Sequence, residues 1–230
     1  DRTGGVRAAA DVLLATKKTR IKVLSTGQVG MLFNAIKDNH LKLMVRLFLT
    51  TGIRKEELLT FPKGYVIDPR KYPVKSHYVV VLSPHEMSVK GSHERSIHIP
   101  KSLMEDLWQY VIHERSGRSK LSLKDFPQLF LSDKGCAYST VSNTINKKLN
   151  ELGLPFAVYP HIFRHTYATH TLAALQKRSD LNFNPLMYVR DRLGHSSIVT
   201  TEKYLHFIDD IADGVINEYQ REIDKLVEVV

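Results

Sequence analysis

The 230-residue sequence has one cysteine, Cys136. No intrachain disulfide can form, which fits a reducing compartment, and a cysteine-rich zinc site is excluded. Long apolar runs are missing as well. "LMVRLFL" (Leu43–Leu49) is interrupted by Arg46, and "YVVVL" (Tyr78–Leu82) is only strand-length. Both fall far short of the ~20 residues a membrane helix needs. There are no internal repeats, no low-complexity segments and no secretory signal pattern. The chain opens at Asp1 rather than Met, so the expectation is a fragment or processed form with something N-terminal missing. Acid is also scarce. Asp and Glu number 24 against 33 Lys and Arg, a net charge of +9 and a pI of about 9.5. That balance points to a polyanion, most often nucleic acid, or to an anionic surface; a merely basic protein is the bland alternative.

What is present is enough for a core: 43% of residues are hydrophobic and only 25% charged, which argues against disorder throughout. "ATKKTRIK" (Ala15–Lys22) carries Lys17, Lys18, Arg20 and Lys22 without an acid, as a solvated linker or a DNA-contacting arm would. "LSTGQVGMLFNAIKDN" opens with Ser25 and Thr26, good helix N-caps. The helical pattern continues to a break near Thr50–Gly52, which delivers Arg54 at the start of a new helix. The period then shortens. "HYVVVLS", "HEMSVKG" and "RSIHIP" read as three short strands with a tight turn near Lys90–His93. Beyond Pro100, "KSLMEDLWQYVIHE", "YSTVSNTINKKLNELG", "YPHIFRHTYATHTL" and "NPLMYVRDRLGHSS" read as helices, with Pro185 near a start and Gly153 and Gly194 near stops. In the tail, Ile208, Ile211, Val215, Tyr219, Ile223, Leu226 and Val230 fall at three- and four-residue steps, an amphipathic helix with an acidic face. The predicted fold is mainly α with a small three-stranded antiparallel sheet. The predicted organisation is a basic linker (1–24), a catalytic domain (25–206) and a C-terminal helix (207–230).

The chemistry concentrates in four stretches. "YPHIFRHTYATHTL" places His161, Arg164 and His165 on one helical face. Two histidines four apart suit zinc. Arg164 between them is a permanent cation and suits an anion instead. Histidines that only pack or face water are the third possibility, and this stretch alone leaves all three open. "LGHSSIVTTEKYLH" offers small hydroxyls after a glycine and Tyr204 nine residues beyond His195; an ordinary buried tyrosine reads equally well. "TGIRKEELLTF" sets Arg54 and Glu57 three apart, which in isolation is a weak surface pair. "SVKGSHERSIHIP" puts Lys90 at a hairpin tip, where lysine is ordinarily solvated.

Together, "TGIRKEELL", "VKGSHERSIHIP", "PHIFRHTYATH" and "LGHSSIVTTEKYLH" resemble the catalytic domain of the tyrosine recombinases, the phage-integrase family. The resemblance spans residues 51–206 and implies the DNA breaking-rejoining fold. It implies catalytic roles for Arg54, Lys90, His161, Arg164, His195 and Tyr204, with Glu57 in support. The family's reaction is metal-independent transesterification of a DNA phosphodiester through a 3′-phosphotyrosyl link. On that model Arg54 and Arg164 clamp the phosphate oxygens. Tyr204, with an ordinary pKa near 10, needs a base or a cationic field, and His161 is the candidate base. Lys90 protonates the leaving 5′-oxygen and His195 bonds a phosphate oxygen. No cofactor is implied.

His165 is expected to pack or hydrogen-bond inside the domain, His170 and His206 to lie at the surface or behind the site, and Ser196–Ser197 to cap a helix or touch phosphate. "KRSDLNFN" reads as an additional surface loop. The implied partner is double-stranded DNA, bound as a homotetramer in the bacterial cytoplasm without a membrane. The isolated fragment could be a monomer, and the tail helix is expected to dock on a neighbouring subunit, own-domain docking being the alternative. Relaxation of DNA by a type IB topoisomerase-like enzyme and a non-catalytic DNA-binding protein are the competing readings.

Overall fold

The computed structural model describes residues 22–178, 180 and 182–205. The lead-in before residue 22, His206 and the predicted tail helix lie outside the described residues. Helix α1 (Thr26–Ala35) starts as the sequence suggests. Ser25 Oγ accepts from Gln28 N–H at 3.2 Å, and the Gln28 side chain accepts from Ser25 N–H at 2.9 Å, a reciprocal cap. Asp38 accepts from His40 N–H at 3.0 Å and starts α2 (Asn39–Thr51), a helix buried on most sides. Gly52, at φ 64°, ends it. A Cβ on Gly52 would lie 2.3 Å from Tyr167 Cδ1 and 2.9 Å from Leu193 Cδ2, so both the backbone sign and the close approach call for glycine. Helix α3 (Lys55–Thr60) follows, with Arg54 as its N-cap.

Strands β1 (His77–Leu82) and β2 (Arg95–Pro100) pair antiparallel, Tyr78 opposite Ile99, Val80 opposite Ile97 and Leu82 opposite Arg95. Among the described residues this sheet has two strands, not the three predicted. "HEMSVKG" has strand-like alternation, and Met87 and Val89 are indeed buried. Its backbone, however, bonds elsewhere. Glu86 and Met87 N–H donate to Ser83 O, and Ser88 N–H donates to Thr60 Oγ1 on α3. With Pro84 at its entry and those groups satisfied locally, the segment packs its apolar side chains as a loop.

Helices α4 (Lys101–Tyr110) and α5 (Ser116–Ser119) are joined by a wide turn over 111–115. Helix α6 (Thr144–Asn150) is shorter than expected, because residues 138–143 are not helical: Ser142 N–H closes a turn on Ser139 O, and the Ser142 hydroxyl accepts from Thr144 N–H and bonds the Thr144 hydroxyl. Helix α7 (Pro160–Gln176) is central and buried around most of its circumference, packing on α2 through Phe48 and Phe163, whose rings lie 5.8 Å apart. The described residues of "KRSDLNFN" are exposed, as expected. Asn184 accepts from Leu186 and Met187 N–H to start α8 (Pro185–Leu193), which ends at Gly194, φ 63°. Helix α9 (Val199–Glu202) is short and has Ile198, not the serine pair, at its N-cap.

The main core gathers α1, α2, α4 and the inner face of the sheet. A second cluster, Tyr167, Ala168, Leu172, Val189, Leu193 and Tyr204, fills the space between α7, α8 and α9. Polar anchors fix α2 in place. Arg46 pairs with Asp106 and donates to Ser102 Oγ, and His40 sits between the Tyr110 and Tyr138 hydroxyls at 2.7 and 3.2 Å. His170, expected at the surface or behind the site, is 1% exposed and bonds Leu24 O at 2.8 Å, because the middle of α7 is buried on nearly every side. Among the described residues no helix is long and apolar enough to cross a membrane. Gly52→Ala adds a methyl into Tyr167 and forces a strained φ. It is expected to cost about 3 kcal/mol, measured as a shift in the denaturant midpoint at unchanged slope.

Candidate active site

The site is built where three chain turns meet. The first is the α2–α3 turn. The Arg54 backbone N–H donates to Glu57 Oε2 at 2.7 Å, and its Nη1 donates to Oε1 at 3.1 Å. Its Nη2 reaches Gly194 O at 3.4 Å. Glu57 is fully buried and pairs on its other side with Arg95. The acid therefore does what the sequence suggested, holding a neighbouring base in place, and it does so out of water, where the pairing matters most.

The second is the start of α7. Pro160 occupies the first turn, where its missing N–H is harmless. His161 follows, exposed to solvent. One turn inward, Arg164 is 2% exposed, and its two terminal nitrogens donate to Gly52 O and Leu193 O, both at 2.6 Å. These carbonyls close the C-terminal ends of α2 and α8, where the helix dipole is negative. The His161 and His165 rings meet edge to face at 4.3 Å between centroids. Among the described residues no group of three or more His, Cys, Asp or Glu side chains converges in a way that could hold a metal ion.

The third is the segment after α8. His195 Nδ1 bonds Thr201 Oγ1 at 2.9 Å. Tyr204 is 1% exposed, lies nearly parallel to the His195 ring at 6.4 Å, and its hydroxyl meets His165 Nδ1 at 2.9 Å. Lys203 lies over the Tyr204 ring at 5.4 Å.

Two adjoining cavities connect these parts. One, of about 710 Å³, is lined by Arg54, Lys90 and His195 together with Arg95 and Arg192. The other, of about 310 Å³, is lined by Arg54, Lys90, His161 and Arg164. Arg54 and Lys90 belong to both. Lys90 reaches them from the loop between β1 and β2, exposed, just before a turn at Gly91 and Ser92 with positive φ. Five of the six predicted catalytic side chains thus line two cavities that share Arg54 and Lys90. Tyr204 lines neither cavity and sits behind His165 in the second apolar cluster.

The electrostatics follow from burial and crowded positive charge. Burial, then Arg164, Lys203, Arg54 and Lys90, holds the His161 imidazole below its ordinary value. Burial with the same kind of neighbours takes His195 down to about 3, and burial with His161 and Lys203 does the same to His165. Burial raises the Tyr204 phenol to about 12, against a pull downward from Arg164 and Arg54. Burial alone would raise Glu57, but the Arg95 and Arg54 pairings outweigh it and keep the carboxyl ionised. A site with three arginines around one carboxylate is short of negative charge and suited to an anion.

A match to the family model described as "Phage integrase family" covers residues 22–210. The chain belongs to the phage integrase family. Among named members, it is 26% identical over 219 residues to Transposase A from transposon Tn554 of Staphylococcus aureus, covering 90% of this chain and 54% of that protein. To the tyrosine recombinase XerC of Natranaerobius thermophilus it is 27% identical over 225 residues, covering 93% and 69%. The integrase fold also appears in the crystal structure of the XerH site-specific recombinase bound to palindromic difH substrate, with a TM-score of 0.62, 20% identity, and coverage of 90% of this chain and 56% of that one. The chain spans about half the length of the Tn554 transposase and of the XerH chain.

Sequence reasoning understated His165 and left Arg95 out. His165 packs and hydrogen-bonds inside the domain as expected, but nothing local marks it as the partner of a tyrosine 39 residues away. The buried His40 and His165 and the half-buried His195 stand at about 3, against 6.5 in an unfolded chain. Their folded values are depressed, so the unfolded state binds more protons between those limits. Stability is expected to be full above pH 6.5 and to fall as pH drops towards about 3. Thermal unfolding followed across this range checks it, and a flat profile would contradict the burial of these rings as neutral groups.

Proposed function

We propose that this chain is the catalytic part of a site-specific DNA recombinase that cleaves and rejoins DNA through a 3′-phosphotyrosyl intermediate and integrates or excises a mobile element. The observation that carries this reading is that Arg54, Lys90, His161, Arg164 and His195 line two cavities sharing Arg54 and Lys90, with the Tyr204 hydroxyl bonded to His165, whose ring packs on that of His161. The Tn554 relative supports the mobile-element setting, and the difH-bound XerH complex, which shares the fold, supports duplex DNA as the partner. A homotetramer on DNA, a tail helix docked on a neighbouring subunit and a cytoplasmic location in a bacterial cell complete the proposal.

The chemistry then runs as follows. A DNA phosphate enters between Arg54 and Arg164, whose guanidiniums neutralise its non-bridging oxygens. Donors aimed at developing charge are each worth several kcal/mol in the transition state. The Tyr204 oxygen attacks phosphorus, the bond from phosphorus to the 5′-oxygen breaks, and the phenol proton passes to an imidazole. His161, which lines the cavity, is the base, and Lys90 gives a proton to the departing 5′-oxygen. His195 bonds a phosphate oxygen. The bond energy is kept in the phosphotyrosyl link, so a 5′-hydroxyl from another strand reverses the attack without ATP. Because Tyr204 is buried and bonded to His165, its segment must shift towards the cavity before attack. Fixed cations supply the charge stabilisation, so the reading needs no metal.

A nicked suicide DNA substrate carrying the ends of the encoding element is expected to give a covalent protein–DNA adduct that survives denaturation and EDTA. Tyr204→Phe should abolish it; an adduct that persists in this variant would place the nucleophile elsewhere. Loss of the adduct on chelation would restore a metal site. Arg164→Lys is expected to slow adduct formation by about 100-fold or more, since lysine cannot bridge two carbonyls and a phosphate with a planar fork. Recombinant joints from two-site substrates are expected, whereas relaxation alone would favour the topoisomerase-like reading.

A further inference from the structure

Arg95 lies outside the residues that the motifs assign to chemistry, yet it is among the most constrained side chains near the site. Strand β2 alternates, and Arg95 is in phase with Ile97 and Ile99 on the buried face, opposite Leu82. Its side chain is 5% exposed and pairs with Glu57, which is 1% exposed. Its Nε donates to Arg192 O at 3.2 Å. Its Cδ packs on Gly194, where a Cβ would come within 2.8 Å. These are the two supports that hold Arg54. Glu57 accepts from the Arg54 backbone and guanidinium, and Gly194 O accepts from its Nη2. The turn that Arg95 grips also leads directly into His195.

We propose that Arg95 is a positioning residue: by clamping Glu57 to the 192–194 turn it fixes the direction in which Arg54 and its neighbour His195 face the phosphate. This rests on the reading of Arg54 as a phosphate clamp. A role in stability alone explains the arrangement poorly. A buried ion pair is often no better for stability than well-packed apolar side chains of similar volume, and the inward face of β2 is otherwise apolar. What an apolar side chain could not do is hold a carboxylate and a backbone carbonyl in one plane. A guanidinium does this with its fork of donors. Lysine keeps the charge and loses the fork.

The test measures adduct formation at saturating DNA for the wild-type chain, Arg95→Lys, Glu57→Gln and the double variant. The substrates are nicked DNA with an ordinary scissile phosphate and with a methylphosphonate, which is neutral. Arg95→Lys is expected to be about 100-fold slower on the phosphate, the scale of a small misplacement of a catalytic group. The defect should shrink on the methylphosphonate, where Arg54 has less charge to neutralise. The double variant should be no slower than Glu57→Gln alone. The salt dependence of DNA binding should stay as in wild type. Wild-type speed in Arg95→Lys would overturn the proposal. An equal defect on both substrates with a lowered unfolding midpoint would leave only a structural role and overturn it as well. A salt slope reduced by about one would show Arg95 contacting phosphate itself, which is a different role. A wild-type chain that gives no adduct overturns both this proposal and the recombinase reading, whereas the other failures touch Arg95 alone.

Discussion

One interaction sets the rest of the structure: a guanidinium buried in α7 that closes the ends of two other helices. Arg164 has no carboxylate of its own. It is held by Gly52 O and Leu193 O, two carbonyls that a regular helix would leave unmatched. Removing a guanidinium from water costs several kcal/mol, and peptide carbonyls at helix C-termini return only part of that. The arrangement works because each partner solves the other's problem. The helix ends need donors, and the arginine needs oxygen atoms. The outcome is that α2, α7 and α8 cannot be placed independently. Their relative position decides where Arg54 emerges and where His195 begins.

That solution leaves the site electrostatically unbalanced. Arg54, Arg95 and Arg164 surround a single ionised Glu57, and the nearby histidines respond by staying neutral. Positive charge in excess and half-buried is a cost carried by the folded state, and a bound phosphate would relieve it. Folding and anion binding are therefore coupled. The same field acts on Tyr204 in two directions. Burial keeps its proton on, while the arginines favour the phenolate. A move of the hydroxyl out of the apolar cluster removes the first effect and strengthens the second.

The sequence was most informative where one residue dictates local geometry. Ser25, Gly52, Pro185 and Gly194 mark helix ends because cap, first-turn and left-handed positions accept few side chains, and each is found where the pattern put it. The four motif stretches also bring five of the six candidate side chains to two cavities that share Arg54 and Lys90, with Tyr204 the exception in lining neither. What escaped depends on contacts between distant segments. Met87 and Val89 alternate as a strand would, but their backbone found partners in a turn and in α3. For His170 the pattern allows the surface or a place behind the site, because nothing local says that α7 is enclosed. Arg95 could have been found: an arginine in register with two inward isoleucines needs buried acceptors, and Glu57 was an acid already in view.

The entry of the chain into the domain has a mechanical meaning. Leu24 is buried, its N–H donates to Thr166 Oγ1 at 3.0 Å and its carbonyl accepts from His170. Both partners lie on α7, the helix that begins with His161 and carries Arg164. At Leu24 the chain is thus fastened to the helix that carries two of the candidate site residues rather than to a remote part of the fold. A force or displacement at Leu24 acts on α7 as a lever acts on its fulcrum.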